Sequence, residues 1–263
     1  MVKQIAAALG DIKNKEVWEI GAGIGVLTKE LLLREANVTS FEIDYGFCRI
    51  LKEEAFKDVP NFNLIEGDAL KTIGLQKEIA DAIIGNLPYN VGSLIIADLM
   101  EKQILPPIMV FTLQKEVAQR LSSIAGSKLW SAFTILVQID YEVQTLFTIK
   151  NSSFFPPPNV ESATIRLIKR EESLVPSYLR DTFLKVVKTL FASRRKTVKN
   201  NFILKKESFV DETFILKILE VAEVEPNVRA ETLEIDKFLR LSEAYYTNLS
   251  KHRPNFPSYN GKS

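Results

Sequence analysis

The sequence has one cysteine, Cys48, and one histidine, His252, in 263 residues. A lone thiol excludes an intramolecular disulfide framework and suits a reducing compartment, so a cytoplasmic location is expected. Cys48 falls in an expected helix after a strand, where a packed, inert thiol is the usual outcome. The single histidine lies near the polar end of the chain. That leaves no histidine base for the rest of the sequence and too few soft ligands for a zinc site, so no metal is expected. No run approaches the roughly 18–20 apolar residues needed to span a bilayer. The opening Met1-Val2-Lys3-Gln4 lacks the long apolar core of a signal peptide. An excess of either charge is missing too: the net charge is +1, which by itself says nothing about a nucleic-acid partner, so the distribution of charge must carry that argument.

With 46% hydrophobic and 25% charged residues, the composition is that of an ordinary globular chain of one or two domains. Apolar runs at 16–21, 37–44, 62–66, 79–85 and 108–114 read as strands. Helical spacing separates them at 26–36, 47–56 and 91–103, and follows at 115–123. Residues 130–139 read as a further helix, and 141–149 and 162–168 as late strands joined through Phe154-Phe155-Pro156-Pro157-Pro158. This alternation predicts an α/β fold, a mostly parallel sheet covered on both faces. After Arg170 the pattern changes to helices at 177–191, 197–204, 211–222 and 235–249. The expected domains are therefore 1–170, α/β, and 171–250, helical, with a disordered polar tail over 251–263.

The most informative stretch is Asn86-Leu87-Pro88-Tyr89, at the end of the fourth strand. Asn86 offers a side-chain carbonyl. Pro88 breaks the chain direction and leaves the Leu87 carbonyl unused by any continuing helix. Two acceptors can thus converge on one planar NH2 group, and Tyr89 supplies a face on which a nucleobase can stack. Upstream, Gly21-Ala22-Gly23-Ile24-Gly25 follows the first strand and opens a helix. A dinucleotide fingerprint would want glycine where Val26 stands, so the loop fits a smaller nucleoside-containing cofactor better. Glu42 ends the second strand, where a carboxylate can accept both hydroxyls of a ribose; Asp44 shares its face and could serve, but suits a helix cap better. Asp68, after the third strand, can accept from an adenine amino group or cap a turn. These features sit in order at the carboxyl ends of successive strands, where open α/β sheets bind ligands. Separately, the stretch from Lys185 to Lys206 holds eight basic residues and no acidic one. It reads as a surface for a polyanion or as a solvated helix face.

Taken together, these motifs resemble the Rossmann-like class I methyltransferases that use S-adenosylmethionine. More closely, they resemble the ribosomal RNA adenine dimethyltransferase family in its small-subunit branch. The likeness is carried by Glu19-Ile20-Gly21-Ala22-Gly23-Ile24-Gly25, Phe41-Glu42-Ile43-Asp44, Glu66-Gly67-Asp68-Ala69 and Asn86-Leu87-Pro88-Tyr89. More specific are Phe154-Phe155-Pro156-Pro157-Pro158-Asn159-Val160-Glu161-Ser162 and Phe191-Ala192-Ser193-Arg194-Arg195-Lys196-Thr197. The resemblance implies S-adenosylmethionine as cofactor, held by Glu19, Gly21, Gly23, Glu42, Ile43, Asp68, Ala69 and Asn86. It implies catalysis at Asn86, Leu87, Pro88 and Tyr89, with Tyr89 and Phe154 sandwiching the target adenine. It implies ribosomal RNA of the assembling small subunit as partner, gripped by Lys185, Lys188, Arg194, Arg195, Lys196 and Lys199, and dimethylation at N6. A monomer is the default expectation.

The sequence departs from the family at two points. The family carries a Gln-Asn-Phe-Leu-type motif ahead of its first helix, closing over the cofactor. Here Met1-Val2-Lys3-Gln4-Ile5 already corresponds to that helix, so the lid motif is expected to be missing. Ala22 stands where proline is common, giving the same loop with less rigidity. The open alternatives are a large-subunit adenine methyltransferase of the antibiotic-resistance type, a DNA adenine methyltransferase, and a non-catalytic assembly or transcription factor on the same fold.

Overall fold

The computed structural model describes residues 1–153, 159–205 and 211–252. Two compact units emerge: residues 1–122 with 140–171, and residues 123–139 with 172 onward.

The first unit is built on a seven-stranded sheet. Its strands are β1 (Glu16–Ile20), β2 (Asn37–Glu42), β3 (Phe62–Glu66), β4 (Ala82–Asn86), β5 (Ile108–Gln114), β6 (Tyr141–Ile149) and β7 (Ser162–Lys169), in the spatial order β3-β2-β1-β4-β5-β7-β6. The strands β1 to β5 run parallel, while β7 is antiparallel to both β5 and β6. The helices of this unit are α1 (Val2–Ala7), α2 (Val26–Leu32), α3 (Tyr45–Ile50), α4 (Ala69–Thr72), α5 (Gly92–Glu101) and α6 (Lys115–Leu121). The central strands are apolar on both faces because both are covered: Ile83 and Ile84, which alternate across the sheet, are both fully buried. One core cluster joins Ile5 and Leu9 of the N-terminal segment to Leu31 of α2 and to Val17, Val38 and Ile84 of the sheet.

The helix expected over 47–56 begins earlier and ends differently. Asp44 caps α3 by accepting the Phe47 N–H at 3.0 Å. The chain then widens into a π-helical turn over Leu51–Ala55. Phe56 follows it and packs beside Gly25, where an added Cβ would come within 2.5 Å of the Phe56 ring. The wide turn thus sets an aromatic ring against the start of α2.

The second unit is helical: α7 (Ala132–Gln138), α8 (Arg180–Leu190), α9 (Val198–Lys205), α10 (Glu212–Val221) and α11 (Ile235–His252). Phe183, Leu190, Ile215, Ile218, Phe238 and Leu241 form its core. Burying each such side chain contributes about 1.5–3 kcal/mol. Here the structure differs from the expected division at 170/171. Residues 123–139, expected in the α/β domain, join the helical unit: Ile135 and Ile139 belong to the helical core, and the Trp130 indole donates to the Leu233 carbonyl at 3.0 Å. The chain leaves the first unit, contributes α7 to the second, and returns as β6. The part of the expected tail over 253–263 lies outside the described residues. No helix among the described residues is long and apolar enough to cross a membrane.

Candidate active site

The loops at the carboxyl ends of β1, β2, β3 and β4 enclose a cleft of about 430 Å³. A wider groove of about 750 Å³ beside α2 has Lys29 as its only charged wall residue and holds no carboxylate. Of these two, the cleft at the strand ends carries the carboxylates, Glu42 and Asp68, that can recognise a polar ligand.

Its first wall is the glycine loop. Gly21, Gly23 and Gly25 adopt φ of 78°, 55° and 83°, a region that side chains with a Cβ rarely occupy. The loop thereby turns tightly into α2, and the Cβ position of Gly21 faces the Asn86 backbone carbonyl at 3.9 Å. The second wall is Glu42, which is nearly buried. Its Oε2 accepts the Gly23 N–H at 2.8 Å and its Oε1 accepts the Asp44 N–H at 2.8 Å. Each oxygen retains a lone pair for a ligand hydroxyl. Asp44 is committed to its cap, so of the two acidic residues at the end of β2 it is Glu42 that lines the cleft. The third wall is Asp68: its Oδ1 accepts the Leu70 N–H at 3.0 Å and caps α4, and its Oδ2 makes no hydrogen bond among the described residues. Ile43 and Ala69 line the same cleft, as do Phe41, Phe47, Val91 and Ile95, which supply apolar surface.

Glu19 does not line the cleft. It is fully buried, and its Oε2 accepts from Thr28 Oγ1 at 2.6 Å and Ser40 Oγ at 2.7 Å. Its Oε1 has no partner among the described residues. Burial pushes its carboxyl above the ordinary value, the Thr28 and Ser40 hydroxyls pull it back, and the Glu42 charge adds to the rise. Glu19 therefore ties β1 to α2 and β2 through Thr28 and Ser40, in place of the cofactor contact the resemblance implies.

At the end of β4, Asn86 is exposed and lines the cleft. Gly85, one residue earlier, permits a close approach to β1: a Cβ there would lie 2.7 Å from the Ile20 carbonyl. The Leu87 side chain is buried, and its N–H donates to the Thr112 carbonyl at 3.1 Å. Neither the Asn86 side chain nor the Leu87 carbonyl makes a hydrogen bond among the described residues. Both expected acceptors are thus uncommitted. Pro88 lines the cleft, and its carbonyl accepts the Gly92 N–H at 2.8 Å to start α5. Tyr89 is half-buried and outside the cleft wall, its hydroxyl 2.5 Å from Ser162 Oγ. Phe154, the other expected platform, lies outside the described residues.

The basic residues divide by partner. Arg194 pairs with Glu231 at 2.8 Å and Lys199 with Glu212 at 2.6 Å. The Lys185 ammonium lies 5.7 Å from the centre of the Tyr245 ring. Lys188 is in the last turn of α8. Arg195 and Lys196 are exposed and make no ion pair among the described residues. The turn that carries them is held by Asn201, fully buried in α9. Its Nδ2 donates to the carbonyls of Leu190 at 2.8 Å and Ser193 at 3.1 Å, and its Oδ1 accepts the Ser193 N–H at 3.1 Å. Sequence reasoning passed over both Asn201 and Ser162. An asparagine at a core position of a helix was the available signal for the first; the second closes the Phe154–Ser162 motif, which gives it a place and no partner.

The cleft fits S-adenosylmethionine. It has a carboxylate for a ribose diol at Glu42, an unused carboxylate oxygen at Asp68, bare backbone at Gly21, and an apolar lining for the purine. No group of three or more potential metal ligands occurs among the described residues.

Comparison with known proteins agrees with this geometry. The family model described as ribosomal RNA adenine dimethylase matches residues 1–245. A ribosomal RNA small subunit methyltransferase A from Treponema denticola is 38% identical over 237 residues, covering 88% of this chain and 80% of the relative. Among solved structures, a dimethyladenosine transferase from Plasmodium falciparum superposes with a TM-score of 0.78 at 27% identity, covering 94% of this chain and 95% of that one. The 23S rRNA methyltransferase ErmE reaches a TM-score of 0.70 at 24% identity over 92% of this chain and 96% of its own, a likeness of fold alone. The chain belongs to the ribosomal RNA adenine dimethylase family, whose members are S-adenosylmethionine-dependent methyltransferases.

Proposed function

We propose that this protein transfers methyl groups from S-adenosylmethionine to the N6 amine of adenosine in small-subunit ribosomal RNA, twice per base, during ribosome assembly. The observation that carries the reading is the pair of uncommitted acceptors, the Asn86 side chain and the Leu87 carbonyl, at the mouth of the nucleoside cleft. Small-subunit methyltransferase A relatives at 36–39% identity support the substrate class.

The cofactor supplies an electrophilic methyl on a sulfonium that leaves readily. The chain must supply a nucleophile, and the N6 lone pair is delocalised into the purine. Asn86 Oδ1 and the Leu87 carbonyl each accept a hydrogen bond from one N6–H, which favours a tetrahedral nitrogen and localises the lone pair; the cationic methylated nitrogen then releases its proton to water. Positioning of this kind lowers the barrier without a strong base, consistent with acceptors that are neutral amides. Glu42 and Asp68 hold the nucleoside end of the cofactor. The target base leaves its stack to reach Asn86 and lies against Tyr89, with Phe154 proposed on the other face; stacking is worth about 1–3 kcal/mol per base. In the helical unit, Arg195 and Lys196, with Arg194, Lys199, Lys185 and Lys188, hold phosphates and supply affinity in place of base identity. The working form is proposed as a cytoplasmic monomer.

The test is methyl transfer from labelled S-adenosylmethionine to unmethylated small subunits, with large subunits in parallel and nucleoside analysis of the product. N6,N6-dimethyladenosine from small subunits alone, abolished in Asn86→Ala, is the expected result. Product from large subunits only would favour the antibiotic-resistance reading, and no product from either would favour a binding factor.

A further inference from the structure

A stacking platform orients a base only if its ring plane is fixed. The backbone around Tyr89 is fixed by the turn in which the Val91 and Gly92 N–H groups both donate to the Pro88 carbonyl, at 3.2 and 2.8 Å. That turn leaves the ring free to rotate about its side-chain bonds. The ring is held instead by its far end, where the hydroxyl meets Ser162 Oγ at 2.5 Å. Ser162 is fully buried and opens β7, paired with Gln114 of β5 on one side and Ile149 of β6 on the other. Its neighbour Glu161 is tied down twice: its carbonyl accepts the Lys115 N–H at 2.9 Å, and its carboxylate pairs with Lys115 Nζ at 2.7 Å. The Tyr89 hydroxyl is thus bonded to a rigid point of the sheet, 73 residues away in sequence. Stacking needs only the ring, which phenylalanine would supply equally, so the hydroxyl has a separate purpose.

We infer that Ser162 is a positioning residue for the methyl-transfer step, holding the Tyr89 ring in the orientation that presents the target amine to Asn86 and the Leu87 carbonyl. The inference rests on the reading of Tyr89 as the base platform. It requires that the anchor act on turnover and leave cofactor binding alone, since neither Tyr89 nor Ser162 lines the cleft.

The experiment compares wild type, Tyr89→Phe, Ser162→Ala and the double variant. It reads kcat on unmethylated small subunits and the Kd for S-adenosylhomocysteine by calorimetry. Tyr89→Phe removes one oxygen from a half-buried ring, so it keeps the fold even if Ser162→Ala does not. Each single variant is expected to lower kcat roughly ten-fold, on the scale of a sub-ångström loss of alignment. The Kd should stay within about two-fold, and the double variant should be no slower than either single one, because both remove the same bond. Wild-type turnover in Tyr89→Phe, losses that multiply in the double variant, or a parallel loss of S-adenosylhomocysteine binding would each overturn the inference while leaving the proposed function intact. A wild-type protein that methylates no small subunits would remove the proposed function itself, and the inference with it.

Discussion

At Gly85 a single methyl group would decide the spacing of two strands. The residue pairs with Ile20 in the parallel ladder, and a Cβ would approach the Ile20 carbonyl to 2.7 Å and the Leu87 side chain to 2.9 Å. Backbone must then move, and the next residue is Asn86. We expect Gly85→Ala to cost about 1–3 kcal/mol of stability, the usual range for overpacking, and to lower methyl transfer further than the stability loss explains. Urea unfolding alongside turnover on small subunits checks this; unaltered turnover would show that the strand yields without moving Asn86. Glu19 makes a different prediction. Unfolded, its carboxyl titrates near the ordinary 4.5; folded, burial raises it. Between those values the native state binds the extra proton, so the contribution of Glu19 is full below pH 4.5 and is lost as pH rises through the folded value. Glu19→Gln keeps the shape and cannot titrate. The variant should therefore gain stability relative to wild type as pH rises from 4 toward 8 (roughly the carboxylate-to-neutral range). A difference in urea midpoint that does not change with pH would show that folding leaves the Glu19 carboxyl unshifted.

Elements whose cause is local could be read from the chain, and those whose cause is distant could not. The strand Ile108–Gln114 was legible to the residue, because Pro106-Pro107 closes one end and the apolar run stops at Gln114. Gly21, Glu42, Asp68 and Asn86 were legible as neighbours and line one cleft, since strand-end placement brings their loops together whatever the packing. The π-helical turn before Phe56 was not, because it answers to the Gly25 approach, some thirty residues back. Nor was the membership of α7 in the helical unit, because its apolar face suits either core and Trp130 finds its acceptor at Leu233. Asn201 shows the same limit in one side chain. Its amide closes the turn from Leu190 to Lys196, and alanine there would leave the Leu190 carbonyl and the Ser193 N–H unpaired, while the Ser193 carbonyl keeps the Lys196 N–H. A loss on the order of 3 kcal/mol is expected for Asn201→Ala, together with weaker binding to small-subunit RNA and an unaltered Kd for S-adenosylhomocysteine. Differential scanning calorimetry and the two binding titrations separate these effects, and full RNA affinity in a destabilised variant would dissociate the turn from RNA contact.

At the scale of the whole molecule, a net charge of +1 conceals a division of labour. The cleft is built entirely from residues of the α/β unit, with Glu42 and Asp68 as its charges. The cationic turn at Arg194-Arg195-Lys196 belongs to the helical unit. Within that turn the charges are unequal. Arg194 is bonded to Glu231 and to the Lys128 carbonyl and so supports the fold of its own unit. Arg195 and Lys196 are exposed with no ion pair among the described residues, so RNA phosphates can take them without first breaking an internal bond. Each phosphate contact releases counterions, and the slope of log K against log salt changes by about 0.7–0.9 per contact. Removing both charges, in Arg195→Ala with Lys196→Ala, should therefore flatten the salt dependence of binding to small-subunit RNA by roughly 1.4–1.8. Arg194→Ala should flatten it less, because part of that charge is already neutralised by Glu231. Filter binding over a potassium chloride series measures all three slopes. A slope in the double variant equal to that of wild type would place the phosphate contacts on other cations, Lys185 and Lys188 of α8 first among them, and would make this turn a structural corner of the helical unit.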